Sequence, residues 1–220
     1  DISVKIPLNA LSVITGVSGS GKTTLIKQIL YPFLKNELEG FGEKPGIFKE
    51  IFGHKNKLKK IEFVDQNPIG RSSRSNPITY IKAYDAIRDL FAAQSLSKIR
   101  GYQPKHFSFN VEGGRCDNCE GEGEKIVEMQ FLADVHLPCD VCHGKRFKAE
   151  ILEVTYKEKN IADILQLTVD EAILFFNEKK DICNRLQPLQ DVGLGYVHLG
   201  QSSSTLSGGE AQRVKLASFL

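Results

Sequence analysis

Residues Gly16 to Thr23, Gly-Val-Ser-Gly-Ser-Gly-Lys-Thr, constrain the fold more than any other stretch of this 220-residue chain. They satisfy the spacing G-x-x-x-x-G-K-[ST], which works only where a strand feeds a glycine loop that opens a helix. The flanks agree. Leu11-Ser-Val-Ile-Thr15 is apolar and β-branched and predicts a buried strand. Leu25, Ile26, Ile29 and Leu30 recur at helical spacing and predict a helix downstream. Glycines let successive backbone N–H groups curl around a polyanion, and the helix start adds a positive dipole end. Gly16, Ser18, Gly19, Gly21, Lys22, Thr23 and Thr24 are therefore candidate nucleotide ligands. Lys22 is expected to reach the β- and γ-phosphates, and the Thr23 hydroxyl to ligate Mg²⁺. The competing reading is a glycine-rich turn with a chance Lys-Thr.

Two further constellations need explaining. Ser207-Gly-Gly-Glu210 opens a helix-like run, and Ser207 with Glu210 fits a capping box. The cap explains the serine and the glutamate. It leaves Gly208 and Gly209 unexplained, because glycine weakens a helix, unless the helix start must lie against a phosphate. Cys116-x-x-Cys119 and Cys139-x-x-Cys142 enclose nineteen residues, a spacing that reads as a zinc site. Four thiolates complete a tetrahedron with no open position, so Zn²⁺ there is structural. Disulfides and a mixed site using His136 or His143 are the alternatives. Cys183 stands apart in a helix-like run and reads as a small packed hydrophobe.

Net charge is +2, which decides nothing about nucleic acid; its distribution says more. Lys44, Lys49, Lys55, Lys57, Lys59 and Lys60 face a single acid, Glu50, within their stretch. From Ile69 to Lys105 seven bases face only Asp85 and Asp89. These runs are candidate phosphate-backbone contacts or plain solvated faces. The cysteine region is acidic, eight acids to four bases between Glu112 and Phe147, and is no basic clamp. No apolar run reaches membrane-span length.

Elsewhere, Pro32 and Pro45 read as breakers of a lysine-bearing excursion over 31–60. Tyr80, Tyr84, Ile87, Leu90 and Phe91 predict one helix over about 79–93. Strands are expected over 125–131 and 151–156, and Thr168 to Glu171 caps a helix over 172–176.

Together these residues carry a resemblance. Leu206-Ser-Gly-Gly-Glu210 is similar to the signature of the ABC ATPases, and Ile61-Glu-Phe-Val-Asp-Gln66 to the strand before their Q-loop. Asp65 to Pro77, Phe107 to Cys116, Pro138 to Arg146, Asp191 to Tyr196 and Leu199 to Glu210 resemble the UvrA family, damage-sensing ATPases of bacterial nucleotide excision repair. The resemblance implies an α/β fold: a P-loop NTPase of ABC ATPase type with an inserted α-helical signature subdomain carrying a zinc module. The implied organisation is a nucleotide-binding core over 1–78, an insertion over 79–205 with zinc module 106–147, and the signature over 206–220.

It also implies that Ser207, Gly208, Gly209 and Glu210 complete the ATP site of a second domain, and that Gln66 senses Mg²⁺ and the attacking water. The implied partners are duplex DNA with lesions, UvrB and a second copy in a homodimer, in the cytoplasm and away from membranes. Arg71 and Arg74 are the residues chosen for DNA-backbone contact. No apolar run ending in Asp-Glu follows the signature before Leu220, so the Walker B acids, D-loop and switch histidine are expected beyond it, and hydrolysis by this chain alone is not expected. Alternatives are a zinc-stabilised DNA-binding or interaction fragment without ATPase activity, and the ATPase subunit of a membrane transporter.

Overall fold

The structure, a computed structural model, describes residues 2–65, 67, 69–70, 74–127, 129 and 135–220. It divides into two compact units, Asp1–Phe63 and Val64–Leu220.

The first unit is built on one helix. After an opening turn at Lys22 and Thr23, Thr24–Leu30 is wound as a π-helix and continues into α1, Tyr31–Glu39. Leu25, Ile26, Ile29 and Leu30 are half-buried while Thr24, Lys27 and Gln28 face water, which is the amphipathic pattern the spacing predicts. Pro32 does not break this helix. It falls just after the winding passes from π to α, and the helix runs on through it. Gly40, at φ 77°, ends it. The 41–63 segment folds back on the helix: Gly46 N–H donates to Gln28 O at 2.7 Å, Phe48 meets Phe33 edge-on at 5.3 Å, and Phe63 meets Tyr31 at 5.0 Å.

The strand expected over 11–15 is not formed. A strand persists only when its backbone groups are paired. Among the described residues nothing pairs with this segment, and Leu11 is left 93% exposed.

The second unit is mostly helical around a single core. Asn76 caps α2, Pro77–Tyr80, by accepting from Thr79 N–H at 2.9 Å. The helix expected over 79–93 is broken at Lys82, which is left-handed at φ 60°, so α3 runs Ala83–Ala92. The break is fixed from afar, because Arg185 Nη1 donates to the Lys82 carbonyl at 3.1 Å. Tyr84, Ile87 and Phe91 of α3 are buried at helical spacing, whereas Tyr80 is partly exposed.

After α4, Ser95–Arg100, comes the cysteine module with its antiparallel hairpin, β1 Glu124–Val127 and β2 Val135–Pro138. Residues 128, 130 and 131 of the strand expected over 125–131 lie outside the described residues. The module's neck is closed by backbone bonds, Cys116 N–H to Arg146 O at 2.8 Å and Lys148 N–H to Gly114 O at 3.0 Å.

The strand expected over 151–156 is instead a helical turn followed by a hairpin. α5 is Ala149–Leu152, and β3 Thr155–Tyr156 pairs with β4 Lys159–Asn160. Ile151 and Val154 lie three residues apart, so a helical turn buries both, where a strand would split them between faces. Lys157 and Glu158, both at positive φ, form the tight connection.

Asn160 caps α6, Ile161–Gln166, and Thr168 with Glu171 forms the capping box of α7, Val169–Phe175. α8, Lys180–Asp191, packs on α3, α7 and α9, Gly208–Ala217. Cys183 sits half-buried on α8 with its Sγ 3.1 Å from Phe176 O, as a weak donor. Phe107, Phe109 and Phe147 carry the same core up to the cysteine module.

Candidate functional site

The phosphate loop lies in the first unit and the cysteine module and signature in the second. In the loop, Gly16, Gly19 and Gly21 take φ of 152°, 80° and 89°, angles that a side chain would strain. Lys22 Nζ is folded into the loop, donating to Gly16 O at 2.7 Å and Val17 O at 2.8 Å, with Ser20 Oγ at 3.5 Å. Ser18 is exposed beside it, and Thr23 and Thr24 are exposed at the helix start, where the Thr23 side chain makes no capping bond. The loop therefore offers a cation and a free hydroxyl. A phosphate must win that cation from the carbonyls it now holds.

The four cysteines converge. Their Sγ atoms all lie within 4.8 Å of one another and are buried. Cys119–Cys142 stand at 3.6 Å and Cys116–Cys139 at 4.0 Å. Tetrahedral zinc with bonds of about 2.3 Å demands sulfurs about 3.8 Å apart, and a disulfide demands about 2.05 Å. The donors fit zinc in kind and in spacing, and the cysteines are not oxidised here.

The two Cys-x-x-Cys turns are built alike. Cys119 is followed by Glu120 at φ 49° and Gly121 at φ 86°, Cys142 by His143 at φ 51° and Gly144 at φ 83°. The N–H three residues on closes each turn, from Glu122 to Cys119 O and from Lys145 to Cys142 O. Gly121 is also required sterically, since a Cβ there would lie 2.0 Å from Phe109 O. Gly123 N–H and the Asn118 amide each point at a sulfur, Cys119 and Cys139, from 3.3 Å.

Burial opposes ionisation of Cys139, yet the N–H groups of Cys142 and Val141 and the Asn118 amide outweigh it and bring its thiol down to about 6. Burial pushes Cys119 up and Cys142 up to about 12, so the thiols alone resist holding four negative charges together. His136 stands off, paired with Glu124 at 3.1 Å, and among the described residues only the cysteines form a metal-holding group.

At the signature, Ser207 caps α9. Its Oγ accepts from Glu210 N–H at 3.3 Å while Glu210 Oε2 accepts from Ser207 N–H at 2.7 Å. Glu210 Oε1 is taken by Tyr196 O–H at 2.5 Å, and Arg213 Nη1 braces the same loop through Gly193 O at 3.1 Å. The hydrogen bond from Tyr196, with those from Ser207, holds the Glu210 carboxyl below its ordinary range. Glu210 is thus an acceptor committed to shaping the helix start. Among the described residues the Ser207 hydroxyl accepts the bond from Glu210 N–H and donates none. Added Cβ atoms at Gly208 and Gly209 would meet nothing within 4 Å, so no close contact among the described residues demands those glycines.

Gln66 and Arg71 lie outside the described residues. Arg74 is placed on the cysteine module, its Nε 2.8 Å from Glu122 Oε1. Spacing did not reveal Tyr196, Glu122 or the ion pair of Asp65 with Lys215, because each partner is remote in sequence. The hydrogen bond from Lys215 holds the Asp65 carboxyl below its usual 3.8. A depressed carboxyl stabilises the fold above the unfolded value and loses that contribution as pH falls through the folded one. Acid unfolding of the chain is therefore expected to begin at higher pH than in Lys215→Ala once both are matched at neutral pH. Superimposable acid limbs would refute a role for the pair.

No family model matches the chain. Against curated proteins it is 56% identical over 220 residues to UvrABC system protein A of Clostridium tetani and 57% over 219 residues to that of Staphylococcus aureus. Each match covers 100% of this chain and 23% of the relative, so the chain spans about a quarter of the curated proteins it matches. The crystal structure of UvrA2 from Deinococcus radiodurans superposes with a TM-score of 0.81 at 50% identity, over 93% of this chain and 24% of that one.

Proposed function

We propose that this chain, UvrA-like along its whole length, is the ATP- and DNA-binding part of a damage-recognition protein of nucleotide excision repair that loads UvrB at lesions. The observation that carries the reading is the whole-length identity, which spans the phosphate loop, the cysteine module and the signature in one sequence. Lys22 and the glycine loop bind the phosphates of one ATP, with Mg²⁺ on Thr23. Ser207, with the bare backbone at Gly208 and Gly209, approaches the ATP of a second nucleotide-binding domain in a homodimer. Glu210 is a shaping residue for that approach, and Gln66 is assigned to Mg²⁺ and water. Zinc, held by Cys116, Cys119, Cys139 and Cys142, supplies structure and no chemistry.

Lesions share no base sequence, so the protein reads DNA through its backbone and deformability. Arg71 and Arg74 are our choice for backbone contact, and the pairing of Arg74 with Glu122 holds Arg74 beside the cysteine module. No described helix is long and apolar enough to cross a membrane.

The test is binding of damaged duplex by the complete polypeptide across a salt series. Log affinity is expected to fall linearly with log salt at about −0.9 per phosphate neutralised, and Arg71→Ala to reduce that slope by about one. Salt-insensitive binding, or none, ends the repair reading.

A further inference from the structure

We infer that Arg74 and Ser75 form a tie between the zinc module and the signature, so that the metal's presence is felt at Ser207. The inference rests on the zinc and signature assignments above. On one side, Arg74 Nε pairs with Glu122 Oε1 at 2.8 Å and its Nη1 reaches Glu120 O at 3.5 Å. Both partners belong to the turn that Cys119 opens: Glu122 N–H closes it on Cys119 O at 2.8 Å, and the next N–H, of Gly123, points at the Cys119 sulfur. Moving Cys119 therefore moves the carboxylate that holds Arg74.

On the other side, the next residue in the chain accepts the bond. Ser203 N–H donates to Ser75 O at 2.7 Å, and Ser203 is 4% exposed, so this bond is sheltered from water. Ser203 opens the short helical turn Ser203–Thr205 that runs straight into Ser207, the cap of α9. The next residue, Asn76, is 1% exposed and caps α2, so the chain is anchored just behind Arg74 and Ser75.

Between the hairpin and the signature loop lies an open groove of about 580 Å³ lined by Glu122, His136, Arg146, Gln201, Ser202 and Thr205. The two elements face each other across this groove, and Glu122, the carboxylate that holds Arg74, is one of its lining residues. Arg74 is a positioning residue in this scheme. A shared position between two sites is not yet coupling, and coupling is what must be measured.

Backbone hydrogen exchange over Ser202–Glu210 is followed in the complete, zinc-loaded polypeptide, without nucleotide or DNA, before and after chelation. In the parent chain, zinc removal is expected to raise exchange there by about fivefold, the change one ion pair of this kind can hold. In Arg74→Ala, exchange should already be raised and chelation should add nothing. Glu122→Gln should behave the same way, Arg74→Lys should restore part of the response, and the double variant should exceed neither single one.

Zinc leaving with no change over Ser202–Glu210, or an equal response in Arg74→Ala and Glu122→Gln, overturns the tie alone. A polypeptide that never held zinc overturns the metal assignment and the tie with it. Neither result measures DNA or ATP binding, so the repair reading is left to the salt series above.

Discussion

Cys139→Ser is expected to abolish stoichiometric zinc and to unfold the module between Gly114 and Lys148. The parent chain should carry about one zinc, since four thiolates close one tetrahedral site. Structural zinc is worth about 10–16 kcal/mol in small finger domains, far more than the rest of so short a segment could supply. The module has little else. Its hairpin is exposed on both faces, with Ile126, Val127, Val135 and Leu137 uncovered, and the buried cysteines form a cluster of their own.

Damage should also spread inward. Phe109 and Phe147 lie at the module's neck, where Phe109 packs on Tyr84 at 5.4 Å and on Phe147 at 6.3 Å. Tyr84 is buried and donates to Phe107 O at 2.7 Å, so loosening the neck loosens α3. Metal analysis with exchange over 107–147 measures both effects. Full zinc in Cys139→Ser, with unchanged protection, would remove the tetrathiolate assignment.

How much of this was legible in the sequence depends on how far each cause reaches. Caps at Thr168 and Ser207 are set by residues three apart, and both stand in the structure. The cysteine cluster was legible for a related reason. Each pair is local, and spacing alone makes each able to aim two sulfurs at one point.

The failures share the opposite cause. A strand over 11–15 depends on partners that periodicity cannot supply, and none pairs with it among the described residues. The break at Lys82 is held by Arg185, more than a hundred positions away. At 151–156 the apolar run fitted either period, and burial of Ile151 with Val154 on one side decided for a helical turn. Pro32 does not act as a breaker: the helix runs through it, next to the point where π winding gives way to α. At the signature, Tyr196 and Arg213 finish a site whose first half is a capping box. Only the fold brings them to it.

Lys22→Ala is expected to cut ATP affinity by roughly a hundredfold while leaving the fold intact. The ammonium now satisfies the Gly16 and Val17 carbonyls at 2.7 and 2.8 Å, in a loop open to water. Losing the side chain hands those carbonyls to solvent at little cost, since an exposed group can always find water. Binding is different. Phosphate oxygens close to the loop would lose a charge-assisted donor worth about 1.5–3 kcal/mol, and more than one oxygen is involved.

The defect should therefore grow with the number of phosphates. Adenosine should bind the variant and the parent alike, ADP should bind the variant somewhat less tightly than the parent, and ATP should show the full loss. Thr23→Ala makes the complementary case, because its loss should appear only when Mg²⁺ is present. Equal ATP affinity in Lys22→Ala and the parent would show that the glycine loop is a turn and no more. A loss equal for adenosine and ATP would place the nucleotide elsewhere.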